Sequence, residues 1–539
     1  MSDLGIYHGR TRERGANTLL CWALRTVLHS FFRLYFRLRR DGRDHIPAAG
    51  PVILASNHRS FLDPFVIACC LRRPIYFFAK RELFERRWLA GLLNALGAFP
   101  VRRGESDEEA IETARLVLER GDAVLIFPEG TRVRRGSLAA PRRGVGRLAL
   151  VSGAPVVPIA VCGSERARRG WRIRPCRVRV RCGRPLTFPR VKSLSPRLAT
   201  EVAARIWPCV ALQWEWLGGL PPLRKAAVVG AGPMGTAIAT LLARAGLDVE
   251  LGCRAAARLD GMPELPGVTV SPVAEIEFAA VDLVVFAVPS RNLPAAVAQV
   301  GDRVGGRSAV LVVSKGLVAP LGTLPSRYVA ERVRVRAVAA LGGPAHAAEA
   351  VERGASVVVA TDDRDFGDQL ATALRHARLD VELTGDVAGV ELAGCAKNVS
   401  ALAAGAAAAS GMNAAGAAAG RLFADVHQLA LARGGRSETF VGLAGAGDLV
   451  ATAMAGHSRN RRAGELLAAG VPADQIAGAL GAAAEALDTV ALLATALERE
   501  GLDARATGAL AALIDGRLTA LEWVSSVRAS SASAGRRAA

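Results

Sequence analysis

The sequence predicts two successive α/β domains followed by an all-α domain. Three observations carry this reading. Short apolar runs that end in polar or Gly-containing turns recur through residues 45–215 and again through 224–388, which is how buried strands of α/β folds read. A strand, a Gly-x-Gly-x-x-Gly turn and a helix follow one another at the start of the second of these stretches. Near 385–390 the strand-like runs give way to long Ala-rich segments of helical length. A chain of 539 residues is too long for one ordinary core, and 51% apolar content suits packed domains.

Charge divides the chain in the same way. Residues 1–220 hold 39 basic and 18 acidic groups, a net of +21, whereas residues 221–539 hold 30 and 31, a net of −1. A basic first half calls for anionic partners: a phospholipid surface, or substrates carrying phosphates or an acidic carrier. It lacks the recognition motifs and the aromatic-interleaved basic pattern of a nucleic-acid binder, so no nucleic acid is expected. The nine cysteines show no metal-type CxxC pairing, so the expectation is free thiols in a reducing compartment and no metal site. No secretory leader and no uncharged run long enough to span a bilayer is seen.

Segment 1–44 is read as a basic membrane-contact element. Within it, residues 17–40 combine Leu19, Leu20, Trp22, Val27, Phe31, Leu34 and Phe36 with Arg25, Arg33 and Arg37. A helix of that kind lies among lipid headgroups, and "RWLAGLLNALGAF" (87–99) could join it. The expected location is cytoplasmic, at the inner face of the membrane.

The domain expected at 45–215 contains "PVILASNHRSFLDPF", a buried strand running into a loop. His58 and Asp63 are spaced so that the carboxylate can fix the imidazole tautomer, which makes His58 a general base without a protein nucleophile beside it. "GDAVLIFPEGTRVRRG" places Glu129, Gly130 and Arg132 at the end of a second strand, and "GAFPVRRG" places Arg102 and Arg103 at the end of another. Arginine at a Gly-containing turn suits a phosphate.

These blocks resemble the glycerolipid acyltransferase family of the lysophosphatidate acyltransferase type, with NHxSxxD at Asn57–Asp63 and FPEGTR intact at 127–132. The resemblance implies that His58 is the base, that Asp63 orients it, and that Glu129 and Arg132 hold a glycerol-phosphate acceptor. The acceptor hydroxyl would attack the thioester of an acyl-CoA or an acyl carrier protein.

Gly-Gly and Pro-Pro in "WLGGLPPLRK" mark a linker at 216–223. "KAAVVGAGPMGTAIATLLARAGLDVELGCR" then supplies strand, Gly230-x-Gly232-Pro233-Met234-Gly235, helix and second strand, a Rossmann-type nucleotide-binding domain over 224–388. Glu250 falls in mid-strand, whereas Arg254 stands at the strand's exit where a 2′-phosphate would lie. NADPH is therefore favoured and NADH tolerated.

Only five of the 69 basic residues are lysines. Two of them sit where ligands gather: Lys315 in "SKG" at a strand end, and Lys397 in "GVELAGCAKNVSALAAG". Lysine can exchange a proton near neutral pH when buried, whereas arginine stays charged. Asp448, Thr452, Ser458, Arg459 and Asn460, in "GLAGAGDLVATAMAGHSRNRR", suit a phosphate-and-hydroxyl ligand. Residues 389–524 are expected to form the helical domain, and 525–539 a disordered tail.

Over about 224–520 the chain resembles NAD(P)-dependent glycerol-3-phosphate dehydrogenases, through GAGPMGTA, AVPS, SKGL, GGPAHA, GVELAGCAKNV, GLAGAGDLV and SRNRR. The resemblance implies proton exchange by Lys397, substrate and cofactor contact by Lys315, and a glycerol-phosphate site lined by Asp448, Ser458, Arg459 and Asn460. It also implies ligand contacts from Gly343 and Ala347, and cofactor contacts near Ala483 and Glu485. Ala345 stands where a Ser or Thr is usual, and Ala415 where an Arg is usual, in a helix softened by Gly411, Gly416 and Gly420.

The expected function is bifunctional: dihydroxyacetone phosphate is reduced to sn-glycerol 3-phosphate, and a glycerol-phosphate hydroxyl (free or 1-acylated) is acylated. The alternative is an acyltransferase regulated by a catalytically weak NAD(P)-sensing module. A homodimer is among the assemblies left open.

Overall fold

The computed structural model describes residues 4–102, 107–133, 136–169, 172–191, 193–254, 264–455 and 458–535. The chain forms two compact units, Met1–Pro222 and Leu223–Ala539.

The first unit is built on a seven-stranded sheet. Its strands are β1 (Arg39–Asp41), β2 (Val52–Ser56), β3 (Ile75–Lys80), β4 (Ala98–Val101), β5 (Ala123–Ile126), β6 (Val156–Cys162) and β9 (Arg179–Cys182); β7 (Arg168–Arg169) and β8 (Arg172–Ile173) form a separate small hairpin. The order is β1-β9-β6-β2-β5-β3-β4, and β6–β9 is the antiparallel pair. Strands β2 and β5 are buried along their whole length, as their unbroken apolar runs require. They are parallel neighbours, with Val52 opposite Ala123 and Ala55 opposite Ile126. This register delivers the loop after β2 and the loop after β5 to the same sheet edge, so two motifs about 70 residues apart meet in space.

The amino-terminal segment is not separate from this domain. Strand β1 pairs with β9, and the helix Gly5–Glu13 is tied down by His8, whose Nδ1 lies 2.9 Å from the Thr113 hydroxyl. The start of the domain at 45 is corrected accordingly. The Thr18–Tyr35 helix does form, capped by the Asn17 side chain, and Leu19 and Leu34 are each 81% exposed on it.

The second unit has an eight-stranded sheet of β10 (Lys225–Val229), β11 (Asp248–Cys253), β12 (Val268–Pro272), β13 (Leu283–Phe286), β14 (Ala309–Val312), β15 (Ala337–Gly342), β16 (Ser356–Ala360) and β17 (Asp380–Thr384). The order β12-β11-β10-β13-β14-β15-β16-β17 reverses direction of travel between β10 and β13, which opens a crevice at the carboxyl end of β10. Only β15–β16 is antiparallel in this sheet.

Glycine 235 shows why the turn after β10 reads as it does. A Cβ there would lie 1.8 Å from the Gly230 carbonyl oxygen, so the helix Pro233–Arg244 can seat on the strand only without one. Gly235→Ala is expected to cost at least about 1–3 kcal/mol, because backbone must move. A thermal melt that matches the unsubstituted protein would contradict this.

Behind the sheet lies a helical layer. Val387–Ala407 is buried nearly all round, which is why its sequence is apolar without periodicity. It begins at Asp386, whose side chain accepts from the Gly389 N–H. The tail expected to be disordered from 525 instead continues the helix Ala520–Gly535, which Trp523, Val524 and Val527 anchor in the core.

Candidate active sites

In the second unit, the ends of β10, β13, β14 and β15 meet five helices around a cavity of about 290 Å³. Of the residues read from sequence, Gly232, Pro233, Met234, Lys315, Ala345, Ala347, Lys397, Arg459, Asn460, Ala483 and Glu485 line it. Asp448 lies beneath, 1% exposed, between the two lysines. Its Oδ2 is 2.6 Å from Lys315 Nζ and its Oδ1 is 3.2 Å from Lys397 Nζ. Lys397 also donates to the Thr452 hydroxyl, and Lys315 to the Gly343 carbonyl, both at 3.2 Å.

This arrangement sets the protonation chemistry. Burial, with Lys315 beside it, pushes the Lys397 amine down to about 8, against the pull of Asp448. Burial also pushes the Asp448 carboxyl up, but the two lysines outweigh it and hold it below its ordinary value. Lys397 is thus a cation that can release its proton near neutral pH, beside a carboxylate that stays charged.

Other residues hold the frame. Asn398 donates from Nδ2 to the Lys315 carbonyl at 2.9 Å and to Glu485 Oε2 at 3.4 Å. Asn460 donates to Asn398 Oδ1 at 2.9 Å and accepts from the Ala486 N–H at 3.2 Å. Burial raises the Glu485 carboxyl above its usual range. Ser458, read as a ligand, caps the helix Arg459–Ala468 through its hydroxyl and is not among the described residues that line the cavity. Gly230 and Gly235 shape the turn from outside the cavity lining. Arg254 is exposed at the end of β11, and residues 255–263 beyond it lie outside the described ones. Glu250 pairs with Lys225 at 2.7 Å. His346, Asn398 and Ser314 also line the cavity and were not read from sequence.

In the first unit, the β2 loop presents His58 with its Nδ1 2.9 Å from Asp63 Oδ2. Asp63 is fully buried, and its carboxylate also accepts the Arg59 N–H at 2.6 Å, the Ser60 N–H at 2.7 Å and the Ser164 hydroxyl at 2.6 Å. A carboxylate so held keeps the imidazole proton on Nδ1 and leaves Nε2 as the acceptor. The ring stacks on Phe127 at 4.0 Å and opens onto a cavity of about 630 Å³. Asn57 is structural: its amide group exchanges two hydrogen bonds with the Val161 backbone.

Glu129 is buried and is not among the described residues that line the His58 cavity. Its Oε2 accepts the His58 N–H at 2.6 Å and its Oε1 the Ala139 N–H at 3.0 Å, and burial pushes its carboxyl up to about 7. It clamps one motif loop to the other. Arg59, 1% exposed, does the same from the other side, donating to the Val133 and Gly136 carbonyls while stacked 4.2 Å over Trp214. Arg102 and Gly130 line the His58 cavity, whereas Arg132 is exposed and is not among the described residues that line it. Arg103 lies outside the described residues.

Comparison with known proteins separates the two halves in the same place. Residues 37–162 match the acyltransferase family model. Residues 225–366 and 386–525 match the amino-terminal and carboxy-terminal models of NAD-dependent glycerol-3-phosphate dehydrogenase. Glycerol-3-phosphate dehydrogenase [NAD(P)+] of Dechloromonas aromatica is 37% identical over 272 residues, 50% of this chain and 82% of that protein. The chain belongs to the NAD(P)-dependent glycerol-3-phosphate dehydrogenase family. The enzyme of that name from Cupriavidus metallidurans is 35% identical over 321 residues, covering 54% of this chain and 94% of that one. The crystal structure of glycerol-3-phosphate dehydrogenase from Coxiella burnetii superposes with a TM-score of 0.53 and 27% identity, covering 56% of this chain and 98% of that one. The protein is thus a fusion of an acyltransferase domain with the amino- and carboxy-terminal domains of a dehydrogenase of this family.

Membership of the dehydrogenase family implies NADPH or NADH, and the residues present fit a dinucleotide. A Cβ on Gly232 would meet nothing of the protein within 4 Å, so the space beside this glycine is open. No side chain caps the helix Pro233–Arg244, whose first N–H groups are left for a pyrophosphate. The Ala345 departure falls on the cavity wall; Ala415, half-buried on Met412–Ala432, does not line the cavity.

Proposed function

We propose that the chain carries out two consecutive reactions: NAD(P)H-dependent reduction of dihydroxyacetone phosphate to sn-glycerol 3-phosphate, and acyl transfer from an acyl thioester to a glycerol-phosphate hydroxyl. The observation that carries the reading is a His58–Asp63 base opening onto an arginine-lined cavity, in a chain whose other unit is a glycerol-3-phosphate dehydrogenase.

In the first reaction the bound cofactor supplies a hydride. Lys397 gives its proton to the ketone oxygen, while Asp448, itself paired with Lys315, keeps the ammonium in place. In the second, His58 Nε2 accepts the proton of the acceptor hydroxyl. The oxygen forms a bond to the thioester carbonyl carbon, the C–S bond breaks, and the imidazolium returns the proton to the departing thiolate. Asp63 stabilises the imidazolium throughout.

An assay of the full chain with dihydroxyacetone phosphate, NADPH and a long-chain acyl thioester, read by product mass, is expected to yield an acylated glycerol phosphate. NADPH oxidation with no acylated product, even when 1-acyl-glycerol 3-phosphate is added, would refute the acyl-transfer half. A second reading, an acyltransferase governed by a weak NAD(P)-sensing module, is favoured by Ala345 on the cavity wall. It requires acyl transfer that responds to NADPH without NADPH being consumed.

The acyltransferase unit is also proposed to lie on an anionic membrane. No single helix among the described residues is long and apolar enough to cross one. On the Thr18–Tyr35 helix, Leu19, Trp22, Val27, Phe31 and Leu34 are exposed, and Trp88 and Leu92 are exposed on Arg87–Ala95. The two helices are joined where the Asn17 N–H donates to the Ala95 carbonyl at 2.8 Å. Binding to anionic vesicles is expected to weaken with salt, because screening shortens the reach of charge to about 8 Å at physiological ionic strength. Cosedimentation with neutral and anionic vesicles in equal amounts would contradict the electrostatic part.

A further inference from the structure

We propose that Ser164 is a positioning residue of the acyl-transfer site, whose buried hydroxyl holds the Oδ1 oxygen of Asp63 and thereby fixes the tautomer and the aim of His58. This rests on the acyl-transfer reading above. The Asp63 carboxylate is fully buried, and its two oxygens are held in different ways. Oδ2 accepts from His58 Nδ1 at 2.9 Å and from the Arg59 and Ser60 N–H groups, so its donors come from its own loop. Oδ1 accepts from the Ser164 hydroxyl at 2.6 Å and from no other donor among the described residues. That serine lies 101 residues further along the chain. It is itself fully buried, and the bond to Asp63 is the one hydrogen bond its hydroxyl makes among the described residues. The hydroxyl does not serve as a helix cap, since the short helix Ser164–Ala167 has no side-chain cap.

The hydroxyl reaches Asp63 because two neighbouring strands are tied together at their carboxyl ends. Strands β2 and β6 are parallel, with Ser56 opposite Ile159, and the Asn57 amide holds the Val161 backbone through two hydrogen bonds. Just beyond Val161 the chain turns at Gly163, whose φ is +92° and where a Cβ would lie 2.0 Å from the Arg177 carbonyl oxygen. Glu165 locks this turn by accepting the Gly163 N–H at 3.0 Å. The consequence for the base is physical. A buried carboxylate oxygen without a donor is costly, and a hydroxyl at this short distance makes a charge-assisted bond. Without it Oδ1 would stand bare in a dry site, and the carboxylate could regain donors only by turning about its Cβ–Cγ bond. That turn draws Oδ2 out of line with Nδ1. An imidazole no longer held by Oδ2 can carry its proton on Nε2, and in that form Nε2 offers the acceptor hydroxyl no lone pair.

The test uses the full chain with Ser164→Ala and with the pair Ser164→Thr and Ser164→Val, which match in shape and differ in the hydroxyl. Acyl transfer to a glycerol-phosphate acceptor should lose about 10- to 10²-fold in kcat in the Ala and Val variants, because the base is misaimed. The KM values of acceptor and thioester should stay within about twofold, because binding is untouched. Ser164→Thr should keep most of the turnover. Nitrogen NMR of histidine-labelled protein reads the cause without turnover, at a pH where the imidazole is neutral. The His58 signals, assigned by their loss in His58→Gln, should show the proton on Nδ1 alone in the unsubstituted protein and in Ser164→Thr. Ser164→Ala and Ser164→Val should show a mixture of tautomers. The rings of His8 and His45, bonded to Thr113 and to the Cys182 carbonyl in the same unit, should keep their signals, which excludes a general loosening. Equal kcat in the Thr and Val variants, or an unchanged His58 tautomer in Ser164→Ala, would overturn the proposal. So would a rise in KM at unchanged kcat, which would make Ser164 a shaper of the substrate cavity. Ser164→Ala, which adds no atoms, decides the matter by itself where the larger variants do not fold. A tautomer response in a protein that transfers no acyl group would leave Ser164 in its role and retire the acyl-transfer reading instead.

Discussion

His58→Ala is expected to lower acyl transfer by about 10²–10⁴-fold while leaving reduction of dihydroxyacetone phosphate by the same preparation unchanged. The loss follows from what the ring does. Its Nδ1 is committed to Asp63 at 2.9 Å, so the second nitrogen is the proton acceptor facing the cavity, and alanine supplies none. The fold should survive. Alanine loses the ring's contacts with Asp63 and Phe127 but keeps the backbone bonds that tie the loop down, donating to Glu129 and accepting from Val133. Asp63→Asn is a different case. That carboxylate also accepts two backbone N–H groups and the Ser164 hydroxyl, so its replacement disturbs the loop as well as the base. Thioester-dependent product formation and NADPH oxidation measured side by side decide the matter. Acyl transfer retained within about threefold in His58→Ala would remove the residue from the role of base.

Much of both sites could be read along the chain because their key residues lie in short loops at strand ends. His58 and Asp63 are five residues apart, and Gly230–Gly235 is a single turn, so their geometry is local. Lys315 and Lys397 stood out by composition, as two of five lysines in an arginine-rich chain. What stayed hidden depends on contacts distant in sequence. Asn398 acquires its role only by reaching the Lys315 carbonyl and Glu485. Arg142 follows FPEGTR by ten residues and comes back over Gly130 through a loop that no periodicity marks. Glu129 shows the opposite failure. A carboxylate in a ligand-binding motif reads as a ligand, yet its oxygens are taken by the backbone of two loops. Strand β1 was missed because it is three residues long and carries charge, and the helix after 525 because small polar residues mask the anchoring of its first turns.

Lys397→Arg is expected to reduce turnover of dihydroxyacetone phosphate nearly as far as Lys397→Ala. The amine is held at about 8, first by burial and next by Lys315, so it can pass a proton to the ketone oxygen at physiological pH. A guanidinium preserves the charge beside Asp448 but does not give up its proton. It is also longer and planar, whereas Lys397 Nζ reaches both Asp448 Oδ1 and the Thr452 hydroxyl at 3.2 Å. The pH profile supplies the sign. With the charged amine as the proposed donor for reduction, turnover in that direction should fall as pH rises through about 8. Oxidation of glycerol 3-phosphate needs the neutral amine and should rise over the same interval. Residual activity of Lys397→Arg should lack this limb in both directions. Cofactor binding by fluorescence confirms that the variants are folded. If Lys397→Arg keeps more than about a tenth of the wild-type turnover, a barrier change under about 1.4 kcal/mol, Lys397 anchors substrate by charge alone and exchanges no proton.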